Sequence, residues 1–273
     1  MTHIAGKTGD VFIATTIIED CEDSWTNGTH GAATAGDPPY VKVGSHSAKC
    51  IISGQADLDM VMYETLAVET NYTGFTHALC WAYFTGTTTT AADFQLHIDS
   101  VDELPDGNSE TQLDFPVLTQ NTWRYCRLTT FDSKPISAST AALAVGLQMH
   151  ANHQSATIYL DDIRAAKIVA GINSWSLDYT VDALETSDFQ SAGVKSYIAG
   201  GSGWSGSFSG YKSGAPLSIG SQYGIELAES ATVTQMWLGT IIIMAVHPSV
   251  GFDGVVSYSY DFQGSGVLQI AST

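Results

Sequence analysis

Positive charge is scarce in this chain. Ten Lys and Arg stand against 28 Asp and Glu, a formal net charge of −18 at pH 7. Coating or wrapping nucleic acid needs a basic surface, so that class is excluded and no specific nucleic-acid binding is expected. Charge of either sign is sparse as well, at 14% of residues, while 44% are apolar. A disordered acidic segment has the reverse balance, so this chain folds. Lys, Glu and Leu, all good helix formers, are under-used, whereas Gly (26 residues), Ser and Thr are plentiful, which suits strands and turns. Long apolar runs are missing. The run Ile241–Val246 stops at His247-Pro248, far short of a bilayer span, and no membrane partner is expected. Met1–Asp10 lacks the apolar stretch of a signal peptide, so synthesis in a cytoplasm is expected. No CxxC occurs. Cys21, Cys50, Cys80 and Cys126 read as free buried thiols, with a disulfide or a zinc site as the alternatives.

Catalytic signatures are missing too. There is no GxSxG, HExxH, P-loop or dinucleotide-binding glycine motif, and the eight histidines are scattered. No pair of carboxylates is singled out for glycoside hydrolysis. The chain is expected not to be an enzyme and to require no cofactor.

What is present is a long series of short strand-like runs punctuated by turn residues. Ser257–Phe262 alternates Tyr258, Tyr260 and Phe262 against Ser257, Ser259 and Asp261. Asn27-Gly28, Asp37-Pro38-Pro39, Pro105-Asp106-Gly107-Asn108 and Asp253-Gly254 mark turns. The best helical candidate is short, Thr186–Tyr197. The fold class is all-β, built of sandwiches. A composition break falls near Ala165–Gly171, beyond which Gly, Ser and Tyr become denser.

The C-terminal region carries Ser174-Trp175-Ser176-Leu177, then Glu185-Thr186-Ser187-Asp188-Phe189, then Gly203-Trp204-Ser205-Gly206-Ser207-Phe208-Ser209-Gly210-Tyr211. It closes with Val256-Ser257-Tyr258-Ser259-Tyr260-Asp261-Phe262-Gln263-Gly264-Ser265-Gly266. In this order the segments resemble the major tail tube proteins of long-tailed bacteriophages. The family's opening segment has its counterpart in Ala5–Ile13, but about 150 residues separate that from Trp175. The resemblance therefore implies a domain inserted at a hairpin tip. Residues 1–18 and 170–273 would form a tail-tube-like, immunoglobulin-like sandwich with Trp175, Leu177, Trp204, Phe208, Tyr258, Tyr260 and Phe262 in its core.

Residues 19–169 resemble a galactose-binding-like jelly roll of the carbohydrate-binding-module type. The resemblance rests on Glu19–Trp25, Gly44–Cys50, Asn121–Cys126 and Ile158–Arg164. It implies a possible structural calcium at Glu22 and Asp161, the alternative being solvated edge carboxylates. Trp25, Tyr40, Tyr63, Tyr72 and Trp81 are the candidates for carbohydrate contact, with core packing as the alternative.

Together these readings imply a bacteriophage virion structural protein, made in the host cytoplasm, that assembles with itself and other virion proteins. A tail tube subunit is the leading form. A capsid decoration (cement) protein and a glycan-binding adhesion module are the alternatives. In a tube, carboxylates from 178–188 or 226–229 are expected to face the channel, and the inserted domain to project outward, where cell-surface glycans are possible partners.

Overall fold

The computed structural model describes residues 10–54, 58–101, 104, 109–153, 155–187, 194–212, 214–229, 235–251 and 254–272. The architecture is all-β and antiparallel. The chain divides into two compact units, one of Met1–Val11 with Val169–Thr273 and one of Phe12–Ile168.

The Phe12–Ile168 unit holds most of β1 (Asp10–Glu19) and all of β2 (Thr26–Asn27), β3 (Gly31–Gly36), β4 (Ser47–Ile52), β5 (Asp59–Thr70) and β6 (His77–Phe84). It continues with β7 (Phe94–Asp99), β8 (Thr111–Asp114), β9 (Trp123–Thr130), β10 (Ala142–Met149) and β11 (Thr157–Ile168). One sheet is centred on β11, which pairs with β6 on one edge and with both β4 and β1 on the other. Beyond β6 lies β9, and beyond β4 lies β3. The other sheet runs β8-β7-β10-β5-β2. Two residue pairs between β8 and β9 carry the chain from sheet to sheet. Alternation places Ala78, Cys80, Ala82 and Phe84 from β6, Ile158 and Leu160 from β11, and Leu96, Ile98, Val145 and Leu147 from the second sheet in one apolar core. Burial of that core, not propensity, holds these short strands together. All four cysteines are free and buried, and Cys80 stands directly opposite Cys126.

The other unit contains β12 (Ile172–Glu185), β13 (Tyr197–Tyr211), β14 (Gln222–Ala228), β15 (Gln235–Ser249) and β16 (Ser257–Ser272). They form an antiparallel sheet in the order β12-β13-β16-β15-β14. Trp204, Phe208, Tyr260 and Phe262 are buried on one face, whereas Trp175, Leu177 and Tyr258 are half-buried. Phe208 stacks on Tyr260 at 4.9 Å, and Trp204 meets Phe262 edge-on at 6.1 Å.

Two expectations are corrected. Residues 12–18 group with the other unit, where Phe12 to Ile17 pair with Ile168 to Arg164 of β11. The chain instead leaves and returns at Val11 and Val169, whose backbone groups bond at 2.8 Å. The flanks of the Thr186–Tyr197 stretch are not helical. Glu185 pairs with Tyr197 and Thr186 N–H donates to Ser196 O at 2.8 Å, closing a β12–β13 hairpin whose residues 188–193 lie outside the described residues.

Candidate functional site

Two surfaces stand out, one on each unit. In the C-terminal sheet, Ser174, Ser176 and Asp178 of β12 pair with Ser209, Ser207 and Ser205 of β13, which in turn face Ser259, Asp261 and Gln263 of β16. Residues paired across strands share a face, so these side chains form one polar face. The hydroxyls of Ser174 and Ser209 lie 2.8 Å apart, and those of Ser176 and Ser207 3.0 Å apart. His247 Nε2 meets Asp261 Oδ2 at 3.0 Å on the same face.

The opposite face carries Trp175 and Leu177 and continues through Tyr179 and Val181 beyond the sheet's own core. Tyr179 is 54% exposed and Val181 58%. Leu184, Tyr197 and Ile198, further along the same hairpin, are more than half exposed as well. The arm is therefore an apolar surface that its own unit leaves uncovered. The outer edge of β12, fourteen residues long, has no strand partner among the described residues, and such an edge is a ready template for pairing. Glu226 is fully buried, so it cannot face a channel, and Glu229 accepts from Trp237 Nε1 at 3.2 Å. Asp178 and Asp182 are exposed, and Asp188 lies outside the described residues.

On the Phe12–Ile168 unit, the sheet face turned away from the core carries aromatics clustered from alternate positions of three neighbouring strands. Trp123, Tyr83, Tyr159 and Lys49 lie in one row across β9, β6, β11 and β4, and Tyr125, Trp81 and Asp161 form the next. Tyr40, from the loop before β4, stacks on Tyr159 at 4.5 Å and meets Tyr83 edge-on at 5.2 Å. Trp81 packs on Tyr125 at 4.8 Å, and Tyr83 on Trp123 at 5.5 Å. Lys42 Nζ sits 5.3 Å from the Trp81 ring centre and 5.8 Å from that of Trp123. Tyr40, Tyr83 and Trp123 are half-buried, offering ring surface to solvent.

Only part of this face matches the residues singled out from sequence. Trp25, just before β2, and Tyr72, in the loop after β5, are core residues, 3% and 0% exposed, packed among the buried side chains of both sheets. Trp81 lies on the aromatic face but is 2% exposed, covered by Tyr125 and Lys42. Tyr63 belongs to the other sheet, beside Met60, Leu104 and Ala144. Tyr40 alone of the five is both on this face and open to solvent. Tyr83, Trp123 and Tyr159 were not selected. The available signal was the alternation Leu79-x-Trp81-x-Tyr83 together with Trp123-x-Tyr125 and Tyr159-x-Asp161.

The loop carrying Tyr40 and Lys42 is pinned by the two carboxylates expected to hold calcium. Lys42 and Val43 N–H donate to Asp161 Oδ2 at 2.6 and 3.1 Å. Ser45 N–H donates to both oxygens of Glu22, and His46 N–H to Oε2 at 3.2 Å. Gly44, at φ +71°, allows the close approach, since a Cβ there would stand 1.6 Å from Glu22 Oε1. Burial pushes Asp161 up to about 7, against the pull of its two amide bonds and with help from the Asp162 and Glu22 charges. Three of their four oxygens are held by amide N–H donors, while Asp161 Oδ1 is buried without a hydrogen-bond partner. Calcium takes about six to eight oxygens, and the described residues contain no cluster of three metal-ligating side chains, so the pair acts here as the anchor of the loop. Glu22→Gln is expected to loosen the loop and cost about 1–2 kcal/mol in thermal unfolding, while added calcium leaves the wild-type Tm in place. A calcium-dependent rise in Tm would restore the metal reading.

No family model matches the chain, and no curated protein matches it. Among solved structures, a chain from the virion of a native gene transfer agent particle is 12% identical, with a TM-score of 0.33, covering 38% of this chain and 88% of that one. A chain from the tail of an empty gene transfer agent particle with C6 symmetry is 14% identical, with a TM-score of 0.33, covering 38% and 85%. An exo-β-agarase is 10% identical, with a TM-score of 0.38, covering 56% of this chain, which spans only 25% of the agarase. Likenesses this distant assign no function.

Proposed function

We propose that the chain is a virion structural protein that assembles with copies of itself as a tail tube subunit. The carrying observation is the β12–β13 hairpin: one polar face, one apolar face, and an apolar arm that runs on past its own core with an open edge. A copy that lends this edge and arm to a different surface of the next copy makes a head-to-tail contact, and such contacts close into rings. The Ser and Asp face then turns to the channel, where Asp178 and Asp261 repel phosphate and let DNA pass without holding it. The ordered segments from Trp175 to Gly266 that resemble tail tube proteins support the same reading. The Phe12–Ile168 unit is entered and left at the bonded pair Val11 and Val169. Capsid decoration is the alternative for the same assembling surface.

Electron microscopy of the purified protein tests this. Rings or tubes are expected for the wild type, and monomers by size-exclusion chromatography for Val181→Asp/Leu184→Asp. Subunits that occupy capsid lattice positions would give decoration instead. A wild type that stays monomeric at high concentration, or a double variant that assembles normally, would overturn the assembly reading.

A second reading concerns the Phe12–Ile168 unit alone. Its half-exposed rings of Tyr40, Tyr83 and Trp123 lie on one rigid sheet face, the arrangement that stacks against the apolar faces of sugar rings. That favours a glycan-binding role for this unit, with many weak copies on one particle acting together.

A further inference from the structure

The aromatic face carries a feature that the overall charge makes unexpected. Seven of the chain's ten Lys and Arg lie within 12–168, and two of them border these rings. Lys49 pairs in register with Tyr159 and holds its Nζ 6.0 Å from that ring centre. Lys42 holds its Nζ over Trp81 and Trp123 and is exposed. Among the described residues neither ammonium forms an ion pair, although 28 carboxylates are available in the chain. Asp161, the nearest acid to Lys42 by its effect on that amine, spends Oδ2 on the Lys42 and Val43 amides. Partial burial against the rings draws the Lys42 amine below its ordinary range, as expected of a cation held without a bonded counter-ion.

We infer that this face selects acidic sugars: a glycan of carboxylate-bearing pyranosides stacks on Tyr83 and Trp123 and sets carboxylates beside Lys42 and Lys49, which border the row at its two ends. The inference rests on the glycan-binding reading and adds the ligand's charge to it. A neutral sugar would use the rings alone. A carboxylated one completes the two ammonium groups as well, and charge-assisted bonds are stronger than neutral ones. The sheet places the groups suitably, because Lys49, Tyr159, Tyr83 and Trp123 form a single cross-strand row, with adjacent strands about 4.8 Å apart. The row is thus long enough for about one disaccharide. Single-stranded nucleic acid also combines stacking rings with negative charge, but a net charge of −18 opposes any polyphosphate.

The test is isothermal titration of the full chain with oligogalacturonate, oligomannuronate and oligosialic acid, each beside its methyl ester, with an oligo-dT control. At least one acid is expected to bind about tenfold more tightly than its ester, and less so at high salt. Lys42→Gln and Lys49→Gln should each remove most of that preference and leave ester binding alone. Trp123→Ala should weaken acid and ester alike. Equal binding of acid and ester, or lysine variants with unchanged preference, would overturn the inference while leaving a neutral-glycan role standing. Absence of binding to every sugar would overturn both. Binding of oligo-dT that is lost in the lysine variants would replace the sugar with nucleic acid.

Discussion

Replacing Trp204 by alanine is expected to cost the Val169–Thr273 sheet about 3–5 kcal/mol, enough to unfold a marginal domain. Trp204 is 3% exposed, and its ring lies flat against bare backbone. A Cβ at Gly264 would stand 2.0 Å from Cε2 of that ring, and one at Gly239 2.6 Å from Cζ2. The indole Nε1 donates to Gly266 O at 3.0 Å, so the one polar atom of the ring is satisfied where water is excluded. Truncation therefore opens a cavity walled by strands that cannot close on it, and strands an acceptor. The converse change, Gly264→Ala, drives a methyl into the ring and is expected to destabilise by a comparable amount. The two should not add: with the indole already gone, Gly264→Ala loses most of its effect. Urea unfolding of the two single variants and the double variant measures this. A Trp204→Ala loss below about 1 kcal/mol would mean that the sheet repacks around the gap.

Part of that arrangement was legible in the sequence. Trp204, Phe208, Tyr260 and Phe262 were placed in the core from their alternation, and they are buried. Gly264 and Gly266 sat in the same ordered segments, but the partner of the indole follows from register between strands about sixty residues apart. The aromatic face illustrates the same limit. Alternation on β6, β9 and β11 fixes which residues share a face within each strand, whereas the pairing of Tyr83 with Trp123 and Tyr159 joins segments 40 and 76 positions away. Composition cannot say which face meets solvent, so Trp25 and Tyr72 were candidates on equal terms with Tyr40. The unit boundary falls inside β1, and the alternation of Val11 and Ile13 runs through it without a break that would mark it. The Thr186–Tyr197 stretch, the best helical candidate in the sequence, has its ends claimed by the hairpin ladder, a pairing that depends on register with residues across the turn.

A large pH effect is expected from a group outside both candidate surfaces. His97, on β7, is fully buried, and burial, reinforced by the nearby His150 and Lys134 charges, lowers it to about 4. Its ring lies 3.4 Å from Gln95 Oε1 through Nε2 and 3.0 Å from Ser109 Oγ through Nδ1. An amide oxygen only accepts, so Nε2 carries the proton; the Ser109 hydroxyl can donate to a neutral Nδ1 or accept from a protonated one, so burial, not these bonds, disfavours the imidazolium. Unfolded, the same ring titrates near 6.5. Above that pH both states are neutral and His97 contributes its full share to stability. Between about 6.5 and 4 the unfolded chain takes up the proton first and stability falls. Below 4 both states are protonated and the fall stops. A shift of this size corresponds to about 3 kcal/mol. Glu19 and Asp161, both raised to about 7 chiefly by burial, act in the other direction, losing stability as pH rises from their unfolded values toward 7. The whole-protein pH curve therefore mixes both signs, and the histidine is isolated by comparison with His97→Gln. The variant is expected to be less stable than wild type at pH 7 and to close or reverse that gap by about 3 kcal/mol at pH 4, read from urea midpoints. Parallel curves for the two proteins would mean that the buried ring takes up its proton as readily folded as unfolded.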